Sequence, residues 1–307
     1  MSPDLPRHLA PSALFTGDRW EDLVRLLLEF EDRKRALVRP DLGPRVTGLP
    51  EARRLLDQVK GIVHAVVDFP PEQGAGVEIN LTGELARLPG RCLKLLFFLS
   101  GVGGGLAFLL VRLEIDGGPA VLSWGLVLAL PAVTFLIYRR TRLNLEHACS
   151  YVRSGEGTGL ILIDHLPRMK FQSYLAHEYA HHLFRGHFPG EVEKWRREGW
   201  ARLVQWEAAL ELSRITHDPS HLYPVLVQVI GELKYAVELI GRALDRQPPR
   251  QARRVRTMYH RNPLYRLATG TPGFSPESLA DHALGTAAFF LAAGRPEPVL
   301  GPNPPDQ

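Results

Sequence analysis

The chain has 307 residues, of which 45% are hydrophobic and 23% charged, a composition typical of a globular protein with room for two domains. Its net charge of +4 is mild, and no run of basic residues alternates with aromatic ones, which argues against nucleic-acid binding. The two cysteines, Cys92 and Cys149, make no disulfide framework and have no C-x-x-C partner for zinc, so they fit a reducing compartment.

Residues 1–90 form the first predicted domain, which we expect to be helical. Met1–Arg19 lacks the apolar segment of a secretory signal. Apolar residues recur at helical spacing in Trp20–Leu37 and Leu49–Phe69, so both segments are expected to be amphipathic helices. Val77–Leu81 is expected to be a short strand. The sequence leaves open whether this region covers an active site, binds a partner or only packs.

Residues 91–142 contain two long uncharged runs and are expected to be a transmembrane helical hairpin. The runs are Leu95–Val111 and Gly117–Tyr138, and their lengths approach or reach the span of a bilayer. Gly101 and Gly105 form a pair of small residues at the spacing that favours helix packing in lipid. The alternative is a buried helical hairpin in a soluble domain, but the first run has no polar face.

The positive charges beside the two runs predict an orientation. Arg112 is the only positive residue between the two runs. Six positive residues lie outside them: Arg87, Arg91, Lys94, Arg139, Arg140 and Arg142. Since positive residues stay on the cytoplasmic side, both ends of the hairpin are expected there. The sequence therefore predicts a multi-pass protein of a bacterial-type inner (plasma) membrane, with residues 143–294 facing the cytoplasm.

Residues 143–294, the third predicted domain, contain a metal-binding pattern, His177-Glu178-Tyr179-Ala180-His181. It lies in Phe171–Phe184, which has no proline or glycine and is expected to be a helix. Positions i and i+4 of a helix share a face, so His177 and His181 can bind one Zn²⁺ ion. Glu178 projects toward the same ion without binding it, where a carboxylate can take a proton from water.

The elements around this helix support the pattern, although the alternative is a chance match among 12 histidines. Gly186 is the expected C-cap of the helix, and Pro189 is expected to prevent its continuation. Upstream, Gly159–Asp164 is a short apolar run that is expected to be a strand. Such a strand could form the rim along which an extended peptide adds as a further strand.

A second helical pattern, from Arg197 to about Arg214, begins beside a candidate third ligand, Glu198. Catalytic zinc sites usually have three protein ligands and one open position. The small residues at positions 199 and 201 permit a close approach of helices. The alternative for Glu198 is a solvated carboxylate that pairs with Arg202 at i+4. The other candidate ligands are, in order, Glu207, Glu211, Glu191 and Glu193.

His177, Glu178 and His181 followed by Glu198-Gly199-Trp200-Ala201 resemble the motifs of the gluzincin metallopeptidases. In that family the third zinc ligand is a glutamate on the helix that follows the motif helix, often within Glu-Gly-x-Ala. Leu175-Ala176-His177-Glu178 after a strand also resembles the ImmA/IrrE type. A membrane hairpin before the motif resembles the HtpX-like membrane peptidases, from which this chain departs in how soon Glu198 follows and in lacking a clear later span.

The rest of the chain is expected to be helical, with helices at Leu222–Arg246 and Ser278–Ala293. Residues 295–307 are rich in proline and form an expected disordered tail. A hydrolase also needs a hydrogen-bond donor for the oxyanion that forms during attack on the substrate. The candidates for this donor are Tyr223, Tyr235, Tyr259 and His260.

The sequence thus predicts a mainly α protein with a small β-sheet, in which a zincin-like domain follows a two-helix transmembrane hairpin. We expect zinc-dependent hydrolysis of peptide bonds, with His177, His181 and Glu198 as ligands and Glu178 as general base. The expected partners are a protein or peptide substrate and the membrane, without nucleic acid. The alternative is a membrane-anchored regulatory or binding protein with a structural or inactive zinc site, which would need a fourth protein ligand. The oligomeric state is left open.

Overall fold

The computed structural model describes residues 11–37, 40–70, 76–82, 149–155, 158–188, 190–191, 193–252 and 276–294, with scattered positions between 90 and 109. The chain divides into two compact units. The larger unit contains residues 1–81, 149–256 and 274–307, and the smaller contains residues 82–148 and 257–273. The predicted tail at residues 295–307 lies outside the described part.

Helices make up most of the larger unit, close to the predicted segments. Their bounds are Gly17–Ala36 (α1), Leu49–Val67 (α2), Arg168–His187 (α3), Lys194–Thr216 (α4), Leu222–Ala243 (α5) and Pro276–Ala293 (α6).

The helix that carries the motif, α3, continues past the expected C-cap at Gly186. It ends at His187, and the N–H of Phe188 still donates to the carbonyl of Phe184 at 2.8 Å. Phe188 then leaves the helical conformation, with φ −121° and ψ 63°. The residue that follows Phe188 in the sequence is a proline, and residues before proline disfavour the helical region. The proline therefore explains the end of α3 better than the glycine does.

Three strands form a small sheet in the order β1-β3-β2. β1 (Val77–Leu81) is parallel to β3 (Thr158–Ile163), and β2 (Cys149–Gly155) is antiparallel to β3. β3 is therefore the central strand, and the prediction that Gly159–Asp164 forms a free rim is wrong. Among the described strands, β2 is the edge on that side, and no pattern in the sequence predicted it.

One hydrophobic core joins the helices of the larger unit. Phe30 on α1, Trp206 on α4 and Phe290 on α6 contact one another edge to face, with ring centroids 5.1 to 6.1 Å apart. α2 packs against α3, where Gln172 donates from Nε2 to Oε1 of Gln58 at 3.1 Å. The first helices of the chain therefore belong to the same core as the motif helix.

The transmembrane hairpin in the predicted fold class is wrong. Its two runs, Leu95–Val111 and Gly117–Tyr138, lie almost entirely outside the described residues. In the part of the chain that the structure describes, no helix combines the length and the apolar character that a membrane crossing needs. The longest of these helices, α4 and α5, each contain four or more charged residues. The predicted membrane location depended on the hairpin and is not part of the proposed function.

Candidate metal centre

Two core helices bring the three predicted ligands together. His177 and His181 lie one turn apart on α3, and Glu198 lies near the start of α4. One donor atom of each residue lies within 4.8 Å of the other two. These three side chains therefore form a group that could hold a metal ion, and we call it the metal group.

The spacing of the donor atoms fits a tetrahedral ion. The two Nε2 atoms of His177 and His181 are 3.2 Å apart. Oε2 of Glu198 lies 3.2 Å from Nε2 of His181 and 3.7 Å from Nε2 of His177. Ligands at roughly 2.0–2.2 Å from a tetrahedral zinc ion are about 3.3–3.6 Å from one another. The triangle of donor atoms already has close to the size that such an ion needs.

Two buried atoms of the metal group have no hydrogen-bond partner among the described residues. They are Oε2 of Glu198 and Nδ1 of His177. Imidazole nitrogens lie near this oxygen, but not in hydrogen-bonding directions. Because buried polar atoms normally form hydrogen bonds, a carboxylate oxygen that has imidazole nitrogens within 3.7 Å and a hydrogen bond to none of them favours a cation at this point.

Burial and the neighbouring charges shift the protonation of the metal group. Burial lowers the pKa of His177 well below its usual value, and the guanidinium of Arg202 adds to this effect. Burial disfavours the charge of Glu198, but His181 and His177 outweigh it and hold the pKa of this carboxyl well below its usual range. A neutral imidazole and an ionised carboxylate are the forms that bind metal, and the shifts of His177 and Glu198 favour these forms. Burial disfavours the charge of His181, but Glu198 outweighs it and raises the pKa of that imidazole, so metal binding displaces its proton.

Glu178 is buried next to the metal group and outside it. Burial raises the pKa of its carboxyl. Charged neighbours on α3 and α4 also act on it, and on β2 the backbone N–H of Tyr151 favours its ionised form while the thiol of Cys149 lies nearby. A carboxyl whose pKa is raised is suited to accept a proton and return it. The unpredicted strand β2 therefore lies beside the predicted base.

The alternative role of Glu198, as a surface partner of Arg202, does not agree with the structure. Glu198 is only 8% exposed, and Arg202 is 4% exposed. Arg202 instead donates from Nε to Oε2 of Glu232 at 3.0 Å. Its guanidinium also donates to the side-chain oxygens of Gln205 and Gln228. This buried polar network adjoins the metal group and joins α4 to α5.

The other glutamates that the sequence offered as ligands are outside the metal group. Glu207 lies nine residues after Glu198 on α4, which is about 13 Å along the helix axis. The remaining three pair with nearby arginines: Glu191 and Glu193 with Arg196, at 2.7 and 3.0 Å, and Glu211 with Arg214, at 2.6 Å.

A histidine that was not predicted from the sequence contacts the metal group. His282 on α6 places Nδ1 at 3.1 Å from Oε2 of Glu198. The only signal in the sequence was one histidine among the mainly small and apolar residues of Pro276–Ala293. That signal does not connect His282 to a residue on another helix.

The predicted oxyanion donors are not brought together by the described structure. Tyr259 and His260 lie outside the described residues. Tyr223 lines a surface cavity with Glu31 and other residues, and Tyr235 is partly buried against the core. The identity of the donor stays a prediction.

Comparisons of the chain with models of protein families, with curated proteins and with solved structures found no match. The resemblance to the gluzincin, ImmA/IrrE-type and HtpX-like peptidases therefore rests on the motif residues alone.

Proposed function

We propose that this protein is a zinc-dependent metallopeptidase that hydrolyses peptide bonds. The observation that carries the proposal is the metal group itself, with donor atoms of His177, His181 and Glu198 within 4.8 Å of one another. Glu178 lies beside this group and is buried. Two imidazoles and one carboxylate, with a second carboxylate nearby, are the side chains that a catalytic zinc site uses.

The donor set favours zinc over other common cations. Mg²⁺ and Ca²⁺ prefer six or more oxygen ligands, whereas two of the three donors here are imidazole nitrogens. Among the described residues, the metal group has three members, a number typical of catalytic sites. Structural sites usually have four protein ligands, so the three-residue set supports the enzyme over the alternative of a structural site. When bound, zinc lowers the pKa of a water molecule to about 7 and polarises a carbonyl.

Glu178 is the residue that we propose to move the proton. Its carboxylate accepts a proton from water as the water oxygen bonds to the carbonyl carbon of the substrate. It then donates this proton to the amine nitrogen as the C–N bond breaks, and so returns to its starting form. The raised pKa of Glu178 suits both transfers. On β2, the backbone N–H of Tyr151 favours the ionised form of this carboxylate, which is the form that accepts a proton.

The substrate that we propose is an extended segment of a protein or peptide. β2 is an edge strand in the described sheet, and Tyr151 on this strand contacts Glu178. An extended peptide that adds along an exposed edge gains main-chain hydrogen bonds without a required side chain. Along β2, such a peptide would pass close to the base.

Peptide cleavage by the zinc-loaded, full-length chain tests this proposal. A peptide mixture is incubated with the wild type, with Glu178→Gln and with Glu207→Gln, and the products are identified by mass spectrometry. We expect the wild type and the Glu207→Gln control to cleave, whereas Glu178→Gln retains zinc and loses nearly all cleavage. Wild-type turnover by Glu178→Gln would disprove the proton transfer. A wild type that binds zinc but cleaves nothing would favour a structural site.

A further inference from the structure

His282 lies on the last helix, α6, and touches the metal group without belonging to it. Its Nδ1 is 3.1 Å from Oε2 of Glu198, the same oxygen that faces His181 and His177. The His282 side chain is 14% exposed and that of Glu198 10%, so water competes little for this contact. His282 is outside the set of donor atoms that lie within 4.8 Å of one another, so it is not placed as a fourth ligand.

The contact depends on a close crossing of α4 and α6 at two glycines. A Cβ on Gly285 would lie 2.1 Å from the carbonyl oxygen of Trp195, and a Cβ on Gly199 would lie 2.4 Å from the carbonyl oxygen of Gly285. Neither distance is possible for a real Cβ, so both positions need glycine. Glu198 adjoins Gly199, and His282 lies one turn before Gly285 on the same face of α6. The crossing therefore brings these two side chains together.

A polar contact fixes the rotation of α6 at this crossing. Thr286 lies four residues after His282 and shares its face of the helix. Its hydroxyl donates to Oε2 of Glu232 on α5 at 2.6 Å. A rotation of α6 that removed His282 from Glu198 would also break this hydrogen bond. The glycine crossing thus fixes the distance of α6 from α4, and the Thr286 hydrogen bond fixes the rotation of α6 about its own axis. Both constraints keep His282 beside Glu198.

We propose that His282 positions the Glu198 carboxylate for metal binding. Nδ1 of His282 lies 3.1 Å from Oε2 of Glu198 without hydrogen-bond alignment, and a turn of the ring would aim a hydrogen on Nδ1 at this oxygen, which can only accept. An oxygen with two lone pairs can accept from His282 and still bind a metal ion. Partners of this kind fix the orientation of a ligand and keep it ready to bind. The inference rests on the proposed function, because it needs the metal group to bind zinc.

Zinc affinity of the full-length chain tests the role of His282. Dissociation constants are measured by competition with a chromophoric chelator for the wild type, His282→Ala, His282→Asn and the control Gly231→Ala. Gly231 is an exposed helix position with nothing within 4 Å of an added Cβ. Asparagine can donate from its amide to Glu198, whereas alanine cannot. Thermal unfolding of the zinc-free proteins shows separately whether each variant folds.

We expect His282→Ala to weaken zinc binding by about 10–100-fold, His282→Asn to recover most of this loss, and the control to bind as the wild type does. Wild-type affinity in His282→Ala would overturn the inference and leave the proposed function intact. An Asn variant no better than the Ala variant would also overturn it. A wild type that binds no zinc would overturn the proposed function, and the role of His282 with it.

Discussion

Arg202 on α4 and Glu232 on α5 form a buried ion pair in which both carboxylate oxygens accept hydrogen bonds from the guanidinium, with Nε to Oε2 at 3.0 Å. Their side chains are 5% and 13% exposed. Thr286 on α6 donates to the same carboxylate, so the pair joins three helices beside the metal group.

Removal of the negative partner of this pair should destabilise the protein strongly. Glu232→Gln leaves the buried guanidinium of Arg202 without its counter-charge, a change that typically costs about 3–5 kcal/mol. The free energy of unfolding of the zinc-free protein in urea measures the loss. Glu238→Gln is the matched control, because Glu238 pairs with a largely exposed Arg242 and such pairs contribute less than about 1 kcal/mol. Equal losses of unfolding free energy in the two variants would show that the pair of Arg202 and Glu232 does not stabilise the packing of these helices.

Addition of a single methyl group at the crossing of α4 and α6 should separate the two helices. A Cβ at position 285 would lie 2.8 Å from the backbone nitrogen of Gly199, in addition to its clash with Trp195. We expect Gly285→Ala to lower stability by about 1–3 kcal/mol and to weaken zinc binding, since His282 moves away from Glu198. Gly231→Ala should instead raise stability by about 0.5–1 kcal/mol, because it adds only helix propensity. Denaturant unfolding and zinc competition measure the two effects, and a Gly285→Ala variant like wild type in both would contradict the crossing.

The third ligand can be tested by truncation of one glutamate at a time along α4. Glu198→Ala should weaken zinc binding strongly, because it removes a donor atom within 3.7 Å of both ligand histidines. Glu207→Ala, on the same helix and outside the metal group, should bind zinc as the wild type does. Isothermal titration of zinc into the metal-free proteins gives both affinities. Loss of zinc binding only in Glu207→Ala would show that Glu207, and not Glu198, is the third ligand.

Zinc should stabilise the folded wild type, because a ligand that binds the folded state more tightly shifts the folding equilibrium. At a free zinc concentration of 100 times the dissociation constant, the expected gain is about 2.7 kcal/mol. Thermal unfolding with and without zinc measures this gain as an increase in Tm. His177→Ala should show little increase, since it lacks one of the two imidazole donors. A similar increase in both proteins would place the stabilising zinc at another site.

Local patterns in the sequence predicted most of the helices and the residues of the metal group. α2 was expected at Leu49–Phe69 and spans Leu49–Val67, since its apolar residues recur at helical spacing. His177 and His181 were identified because their i, i+4 spacing is a local property of one helix, whereas Glu198 was identified from its resemblance to the gluzincin motif. The structure brings donor atoms of these three residues within 4.8 Å of one another.

Contacts between segments that are far apart in the chain could not be predicted from the sequence. β2 has the sequence CSYVRSG, with little of the apolar alternation that marks a strand, and its role beside Glu178 depends on pairing with β3. The contact between His282 and Glu198 joins helices that are far apart in the chain. The transmembrane hairpin is wrong because an uncharged run of sufficient length is necessary for a membrane helix and is not sufficient evidence for one.

X-ray absorption at the zinc edge, on the zinc-loaded full-length chain, tests the central claim most directly, because it counts the imidazoles that bind the ion. We expect one zinc ion per chain with two imidazole ligands and oxygen ligands besides. The imidazole count should stay at two in His282→Ala and fall to one in His181→Ala. Three imidazoles in the wild type, four protein ligands, or no retained zinc would contradict the catalytic metal site that we propose.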